Sequence, residues 1–320
     1  MVYVGIMTPS PLRIATRGSP LALVQAQAVQ GALLAAHGAA VLGGTPELVI
    51  IKTSGDAITD RPLRELGGKG LFTREIEAAL LRGEADLAVH SAKDMPTMSR
   101  PGLMLGAVLP REDARDCLIS REGWTLEALP KGARIGTTSL RRQAQLKRAR
   151  PDLAVADLRG NVETRLKKLE SGDFDAILLA AAGLKRLGLA PAGLVTLAIE
   201  TMLPAVGQGA IGIEIGADDA RMQTLLAPIN HAETFTAVEA ERAFLAVLGG
   251  SCRSPIGGQA VLTGETVLMR GLVLAPDGTE AYAAHLSGPA AAAVAIAQAV
   301  AEDIRSKAPE AFLDAYLSGE

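Results

Sequence analysis

The chain is 320 residues long, with 32 Lys+Arg against 35 Asp+Glu, a net charge of −3, 48% hydrophobic residues, 3% aromatics and 2 cysteines. That length exceeds a typical domain of roughly 100–200 residues, so two or three domains are expected, each able to bury a core. A slightly acidic balance with few rings excludes a dedicated nucleic-acid binder, and two cysteines exclude a disulfide scaffold.

Met1 to Pro11 carries no Lys or Arg and so lacks the basic region of a signal or transit peptide, which points to a cytoplasmic protein. The first predicted element is a short strand, Arg13-Ile-Ala-Thr, running into Arg17-Gly18-Ser19 and then an Ala- and Gln-rich helix that ends near Gly38. Ser19 suits a helix N-cap, and Pro20 stands in the first turn, where proline is tolerated. A buried-strand run, Leu48 to Lys52, leads to the turn Thr53-Ser54-Gly55-Asp56. Gly67-Gly-Lys-Gly70 reads as a loop with glycine hinges, since it lacks P-loop spacing. A helix over Phe72 to Arg82 and a strand over Ala85 to His90 complete the first unit, ending at Ser91-Ala92-Lys93-Asp94.

The same order of elements then recurs. Arg134-Ile-Gly runs into Thr137-Thr138-Ser139 and a helix, Leu140 to Arg150; a strand, Leu153 to Leu158, ends in Arg159-Gly160-Asn161; a helix over Val162 to Glu170 and a strand over Phe174 to Ala180 follow. A β-α-β-α-β order met twice predicts two open, mostly parallel α/β lobes. The lobes are placed at residues 1–109 and 110–203, the first completed by 204–228, where Leu203 to Gly209 leads into an apolar strand, Ala210 to Ile215. Residues 229–320 read as a smaller α+β domain: a helix over Val238 to Leu248, strands near Gln259–Leu262, Val267–Leu274 and Glu280–Leu286, and two final helices. The apolar run Ala290 to Ala301 is too short for a bilayer and reads as a buried helix, so no membrane association is expected.

Open α/β sheets bind ligands beyond the carboxyl ends of their strands, where helix N-termini favour anions. Those junctions carry Arg17, Lys93, Arg141, Arg142, Arg159 and Arg165, so a cleft shared by the lobes would gather five arginines and a lysine. Arginine binds carboxylate bidentately without losing its proton, and repeated carboxylates match this set better than one phosphate. Lys147, Arg148 and Arg150 lie late in their helix and read as a solvated face. Asp94 is the one acid in the basic group. It would stay ionised, either to stabilise a cationic intermediate or handle protons, or simply as a salt-bridge partner of Lys93 or Arg17. His90 reads equally as a packed histidine or a catalytic one. No His/Cys/Asp/Glu cluster has metal-ligand spacing. Cys252, in the glycine-flanked loop Gly249-Gly-Ser-Cys-Arg253, suits a nucleophile or an attachment point, whereas Cys117 reads as a small core residue.

Seven segments together resemble the porphobilinogen deaminase family: Arg13 to Leu23, Gly67 to Phe72, Ala88 to Pro96, Gly136 to Arg142, Leu158 to Asn161, Leu203 to Gly209 and Gly250 to Arg253. The resemblance implies two periplasmic-binding-protein-like α/β lobes around a cleft, with a smaller C-terminal α+β domain. It implies a hydroxymethylbilane synthase, a cytoplasmic monomeric transferase that joins four porphobilinogen molecules head to tail, releases ammonia, and passes its linear product to the next tetrapyrrole-pathway enzyme. It implies a dipyrromethane cofactor on a cysteine thioether, by motif Cys252, and a catalytic carboxylate, Asp94. Lys93, Asp94, Thr137, Thr138, Ser139, Arg141 and Arg142 match cofactor-holding positions; Arg17, Ser19, Phe72, Arg159, Arg165 and Arg186 match substrate positions. Glu65 and Ser54 depart from the lysine and arginine that some members carry there, in what read as loops beside the cleft. The rival readings are a non-catalytic two-lobe anion-binding protein and a phosphoribosyl-type transferase; the latter needs a phosphate loop and metal carboxylates that the sequence lacks.

Overall fold

The computed structural model describes residues 10–57, 70–251 and 254–317. In chain order these form β1 (Arg13–Thr16), α1 (Pro20–Leu42), β2 (Glu47–Ile50), α2 (Ser54–Ala57), α3 (Arg74–Leu81), β3 (Leu87–Ser91), β4 (Leu103–Val108), β5 (Asp116–Ser120), β6 (Arg134–Gly136), α4 (Leu140–Ala149), β7 (Ala154–Ala156) and α5 (Val162–Glu170). They continue as β8 (Ala176–Ala180), α6 (Ala181–Arg186), β9 (Leu194–Thr196), β10 (Ile211–Gly216), α7 (Ala220–Leu226), α8 (Ala232–Leu248), β11 (Ile256–Thr263), β12 (Thr266–Leu274), β13 (Ala281–Pro289), α9 (Ala293–Lys307) and α10 (Glu310–Tyr316).

Two five-stranded sheets share one topology, β2-β1-β3-β10-β4 and β7-β6-β8-β5-β9. In each, three strands pair in parallel and the fourth in the order, β10 or β5, runs the other way. The lobes are therefore mostly parallel, and the reversed strand of each is the one that arrives from the other lobe. The two crossing segments lie side by side, with Glu112 N donating to Gly209 O at 3.0 Å and Leu109 N to Ile211 O at 3.2 Å.

Both sheets are covered on both faces, which is why their strands read as continuous apolar runs. In the first, Ile14, Leu87 and Val89 pack towards Val29 and Leu33 of α1, while Ala15 and Ala88 face Ile76 and Leu80 of α3. In the second, Leu118, Ile135 and Leu178 pack with Leu146 of α4, and Ile119, Ile177 and Leu179 with Leu169 of α5. Cys117 belongs to this core: its thiol is 1% exposed, and burial pushes its pKa up. The corresponding helix starts are capped alike, Ser19 Oγ accepting from Ala22 N at 3.3 Å and Ser139 Oγ from Arg142 N at 3.5 Å.

Several boundaries differ from the sequence reading. The first helix breaks at Gly38 (φ 72°) but continues to Leu42. The helix expected from Phe72 starts at Arg74, and α8 starts six residues before Val238. Strands β4 and β9 carry no alternation long enough to announce them. Ser54 begins the short helix α2, where Glu75 accepts from its backbone N at 3.0 Å and from its hydroxyl. The apolar run expected to be a buried helix begins with a 3-10 turn at 290–292, and α9 buries one face, Ile296, Val300 and Ile304, leaving Val294 exposed. Arg150 is half-buried rather than freely solvated: it pairs with Asp152 and donates to the carbonyls of Leu126, Glu127 and Leu129, closing that turn, while Arg148 is exposed. No helix among the described residues is long and apolar enough to cross a membrane.

The C-terminal sheet, β11-β12-β13, is antiparallel, with α8 and α9 packed on one face. The fully buried Phe244 of α8 sits over the cross-strand pair Gly258 and Gly271, where a Cβ would meet its ring at 3.0 and 2.4 Å. Any side chain at Gly271 would have to displace that ring. Glu241, 0% exposed on α8, fastens this unit to the crossing segments: Arg111 donates to it at 2.6 and 3.1 Å, Gly207 N at 2.6 Å and Ala260 N at 2.8 Å. Replacing Glu241 by alanine leaves the Arg111 charge and two buried amides without their acceptor. The expected loss is about 3–5 kcal/mol of unfolding free energy, measured by urea titration.

Candidate functional site

The strand-to-helix junctions of both lobes meet at one cleft. Lys93 and Asp94 come from the 3-10 turn (Ala92–Asp94) that follows β3, and Arg141 and Arg142 from the first turn of α4. Arg165 stands on α5, its Nε donating to Gly160 O at 2.8 Å. The Lys93 amine feels Asp94, Arg142, Asp116 and Arg141, and the Arg165 guanidinium feels Arg142, Asp94 and Arg159, so these groups share one electrostatic neighbourhood. Burial among cations brings Lys93 down to about 8, against partial compensation from Asp94 and Asp116. Burial brings Arg165 down to about 10, with Arg142 adding to the fall.

Asp116, fully buried at the start of β5, was not singled out by the sequence reading and is the hub of the site. It accepts from Arg141 Nη1 at 2.7 Å, from Arg142 Nε and Nη2 at 3.1 and 2.7 Å, and from Gln208 Nε2 at 2.9 Å. Burial alone would raise its pKa, but the two guanidiniums hold it far below the ordinary carboxylate range. Arg141 and Arg142 also donate to the carbonyls of Leu203 and Leu178. Expected as anchors facing a ligand, these arginines are instead turned largely into the fold, 4% and 6% exposed; Arg141 Nε remains a buried donor with no partner among the described residues. A signal for Asp116 existed: a carboxylate within a buried strand demands a cationic partner, and an arginine doublet follows in the same lobe.

Gln208 ties the lobes together. Its Oε1 lies 3.5 Å from Lys93 Nζ, and its Nε2 also donates to Ala114 O at 2.7 Å. This approach depends on Gly207 (φ 72°), whose Cβ would stand 2.9 Å from Ala92 C and Lys93 N.

The remaining expected residues separate into groups. Arg17 pairs with Asp56 and not with Asp94, Nε to Oδ2 at 3.2 Å, and its guanidinium lies 4.2 Å above the Phe72 ring. Thr137 is buried and accepts from Ser139 N at 3.2 Å; Ser19 and Ser139 serve as helix caps. Thr138, half-buried, lies between them on the same turn. Arg186 donates to Gly209 O at 2.7 Å beside the lobe crossing, and burial lowers its pKa. His90 is buried, its Nε2 3.3 Å from Glu214 Oε2, within the sheet rather than at the cleft. Gln25 of α1, also missed, donates to Ser91 Oγ at 2.8 Å and braces the turn that carries Lys93. Cys252, Glu65 and residues 67–69 lie outside the described residues. The described ends of the cysteine loop are anchored: Thr97 Oγ1 donates to Gly250 O at 3.4 Å, and Ser251 N to Ser254 Oγ at 3.1 Å. No cluster of metal-binding side chains occurs among the described residues.

Among the described residues, the acids that bear most on Lys93 are Asp94 and Asp116, and on Arg165 it is Asp94, so the cleft carries surplus positive charge around one half-buried carboxylate. Fold and cleft together define the class: a two-lobed α/β protein with a cationic cleft between its lobes. Two family models match, "Porphobilinogen deaminase, dipyromethane cofactor binding domain" over residues 12–224 and "Porphobilinogen deaminase, C-terminal domain" over 235–306. Porphobilinogen deaminase of Paracoccus denitrificans is 52% identical over 305 residues, 95% of this chain and 97% of its own. That of Nitrobacter winogradskyi is 52% identical over 306 residues, 95% of each chain. A solved putative methionine-binding lipoprotein from Bacillus subtilis superposes with a TM-score of 0.43 at 15% identity, over 70% of this chain and 92% of its own. The chain belongs to the porphobilinogen deaminase family. Neither the non-catalytic anion-binding reading nor the phosphoribosyl transferase reading is favoured by that membership.

Proposed function

We infer that the cleft is the active site of a hydroxymethylbilane synthase, with Asp94 as its catalytic carboxylate and Cys252 as the attachment point of the dipyrromethane. The carrying observation is the surplus of Lys93, Arg141, Arg142 and Arg165 over Asp94 and Asp116 in one half-buried cleft. A dipyrromethane, with a carboxylate on every short arm, fits that surplus, and the unpartnered Arg141 Nε is a donor available to it. When bound it supplies the covalent primer on which the product is built. Lys93, Arg141 and Arg142, with Thr137, Thr138 and Ser139 on the adjoining turn, would hold it. Arg165 and Arg159 from the second lobe, with Arg17 and Ser19 from the first and Arg186 at the crossing, would receive the acetate and propionate groups of porphobilinogen, and Phe72 would bear on Arg17.

Porphobilinogen loses its amine as ammonia, and positive charge spreads from its methylene carbon to the pyrrole nitrogen. Asp94 would accept that N–H and stabilise the charge, with a carboxylate that already lies among cations before the bond breaks. Asp94 raises the proton affinity of the desolvated Lys93. The division into lobes 1–109 with 204–228 and 110–203, and a C-terminal domain from 229, is supported by the pairing of β10 with β3 and β4. A cytoplasmic location, a monomeric state and transfer of the product to the following tetrapyrrole enzyme complete this reading.

The test is stoichiometric. Purified protein given porphobilinogen should release four ammonia for each linear tetrapyrrole formed. Binding of porphobilinogen without ammonia release would overturn the synthase reading.

A further inference from the structure

Two adjacent arginines and a lysine do not share a buried corner unless an anion organises them. Here the anion is Asp116, which receives Arg141, Arg142 and Gln208 at 2.7–3.1 Å, while Gln208 Oε1 lies 3.5 Å from Lys93 Nζ. Asp116 comes from the strand that enters the second lobe, Lys93 from the first lobe, and Gln208 from the segment that returns between them. Gln208 is also gripped from behind: Arg111 Nε donates to its carbonyl at 2.9 Å, and Arg111 is paired with Glu241 of α8. One polar chain therefore runs from the C-terminal domain through both crossing segments to the cleft.

We propose that Asp116 is the positioning residue of the cofactor cradle, its buried carboxylate setting, directly for Arg141 and Arg142 and through Gln208 for Lys93, where these cations stand to receive carboxylates. Each of its oxygens accepts from a different guanidinium, so neither arginine can swing towards the cleft without leaving the other less balanced. What remains for a ligand is a directional residue of charge, including Arg141 Nε. Such pre-ordering lets the cradle bind a polycarboxylate without first immobilising long flexible side chains, whose ordering would otherwise cost affinity. Asp116 touches no reacting atom; it acts through the cations. The proposal rests on the cleft's being the dipyrromethane site.

The test compares Asp116→Asn, Asp116→Glu and Gln208→Ala with the parent and with Leu153→Ala, a destabilising control in the core of the second lobe. Intact mass reports dipyrromethane occupancy, and kcat/KM is followed against pH. Asp116→Asn should fall at least about tenfold in occupancy. Its alkaline limb should move to lower pH, because Lys93, facing Asp94, Arg141, Arg142 and Asp116, then loses one of its two neighbouring negative charges. Asp116→Glu restores the charge at the wrong reach, so the limb should return while KM for porphobilinogen stays raised severalfold. Gln208→Ala keeps both buried ion pairs and should fold; it should raise KM more than it lowers kcat. Parental occupancy and an unmoved limb in Asp116→Asn, or defects no greater than those of Leu153→Ala, would overturn the proposal. So would an unchanged KM in Gln208→Ala, should the Asp116 variants fail to fold. A parent protein without dipyrromethane would instead count against the reading of the cleft itself.

Discussion

Asp94→Ala should lower kcat for ammonia release by about 10²–10³-fold while leaving the folded protein and its dipyrromethane in place. The residue stands at the end of the turn after β3, half-buried, with Lys93 and Arg165 as charged neighbours and no hydrogen bond tying its carboxylate to any described residue. An acid so placed is available to a ligand, unlike Asp116, whose oxygens are already occupied. Its removal should therefore cost little stability. The effect should fall on kcat more than on KM, because the charge that Asp94 stabilises exists only as the amine departs. Asp94→Asn separates charge from shape: the amide fills the space but cannot offset a developing cation, so its rate should lie close to that of alanine. Ammonia release within a few-fold of the parent in either variant would remove Asp94 from catalysis and leave it a local counter-ion.

The repeated β-α-β-α-β order was readable because each lobe buries both faces of its sheet. Ile14, Leu87 and Val89 on one face and Ala15 and Ala88 on the other give short apolar runs that end in polar turns. The caps Ser19 and Ser139 were readable for the same local reason. The strand at 210–215 and its return to the first lobe were legible, but not its place between β3 and β4, antiparallel to both, because that is set by partners far along the chain; β9, three residues of edge strand against β5, was not legible at all. The cationic cleft was legible in residue type but not in commitment. Sequence places Arg141 and Arg142 at a helix N-terminus beside the cleft; only the fold shows that Asp116, 25 and 26 residues away, claims most of their hydrogen-bonding capacity. The same holds for Arg17, which meets Asp56 and Phe72 before any ligand.

Cys252→Ser should abolish covalent dipyrromethane and reduce turnover by at least about 10³-fold, since tethering is what makes each addition intramolecular, and oriented intramolecular reactions gain effective molarities of about 10⁵ M or more. Serine matches cysteine in shape, but its hydroxyl supplies no thiolate at neutral pH, so the thioether has no counterpart. Gly250, two residues before Cys252, accepts from Thr97, itself three residues beyond Asp94, so the described start of the cysteine loop is moored to the segment that carries Asp94. The parent should weigh more than its sequence by two pyrrole units and the variant should match its sequence. Cys117→Ser supplies the control. That thiol is 1% exposed in the second-lobe core, with its pKa raised by burial and its Sγ 3.7 Å from Thr196 Oγ1, so its replacement should leave the added mass untouched. A Cys252→Ser protein that still carries the two pyrrole units, or a Cys117→Ser protein that folds and has lost them, would move the tether away from the loop and break the link between Cys252 and Asp94 on which the mechanism depends.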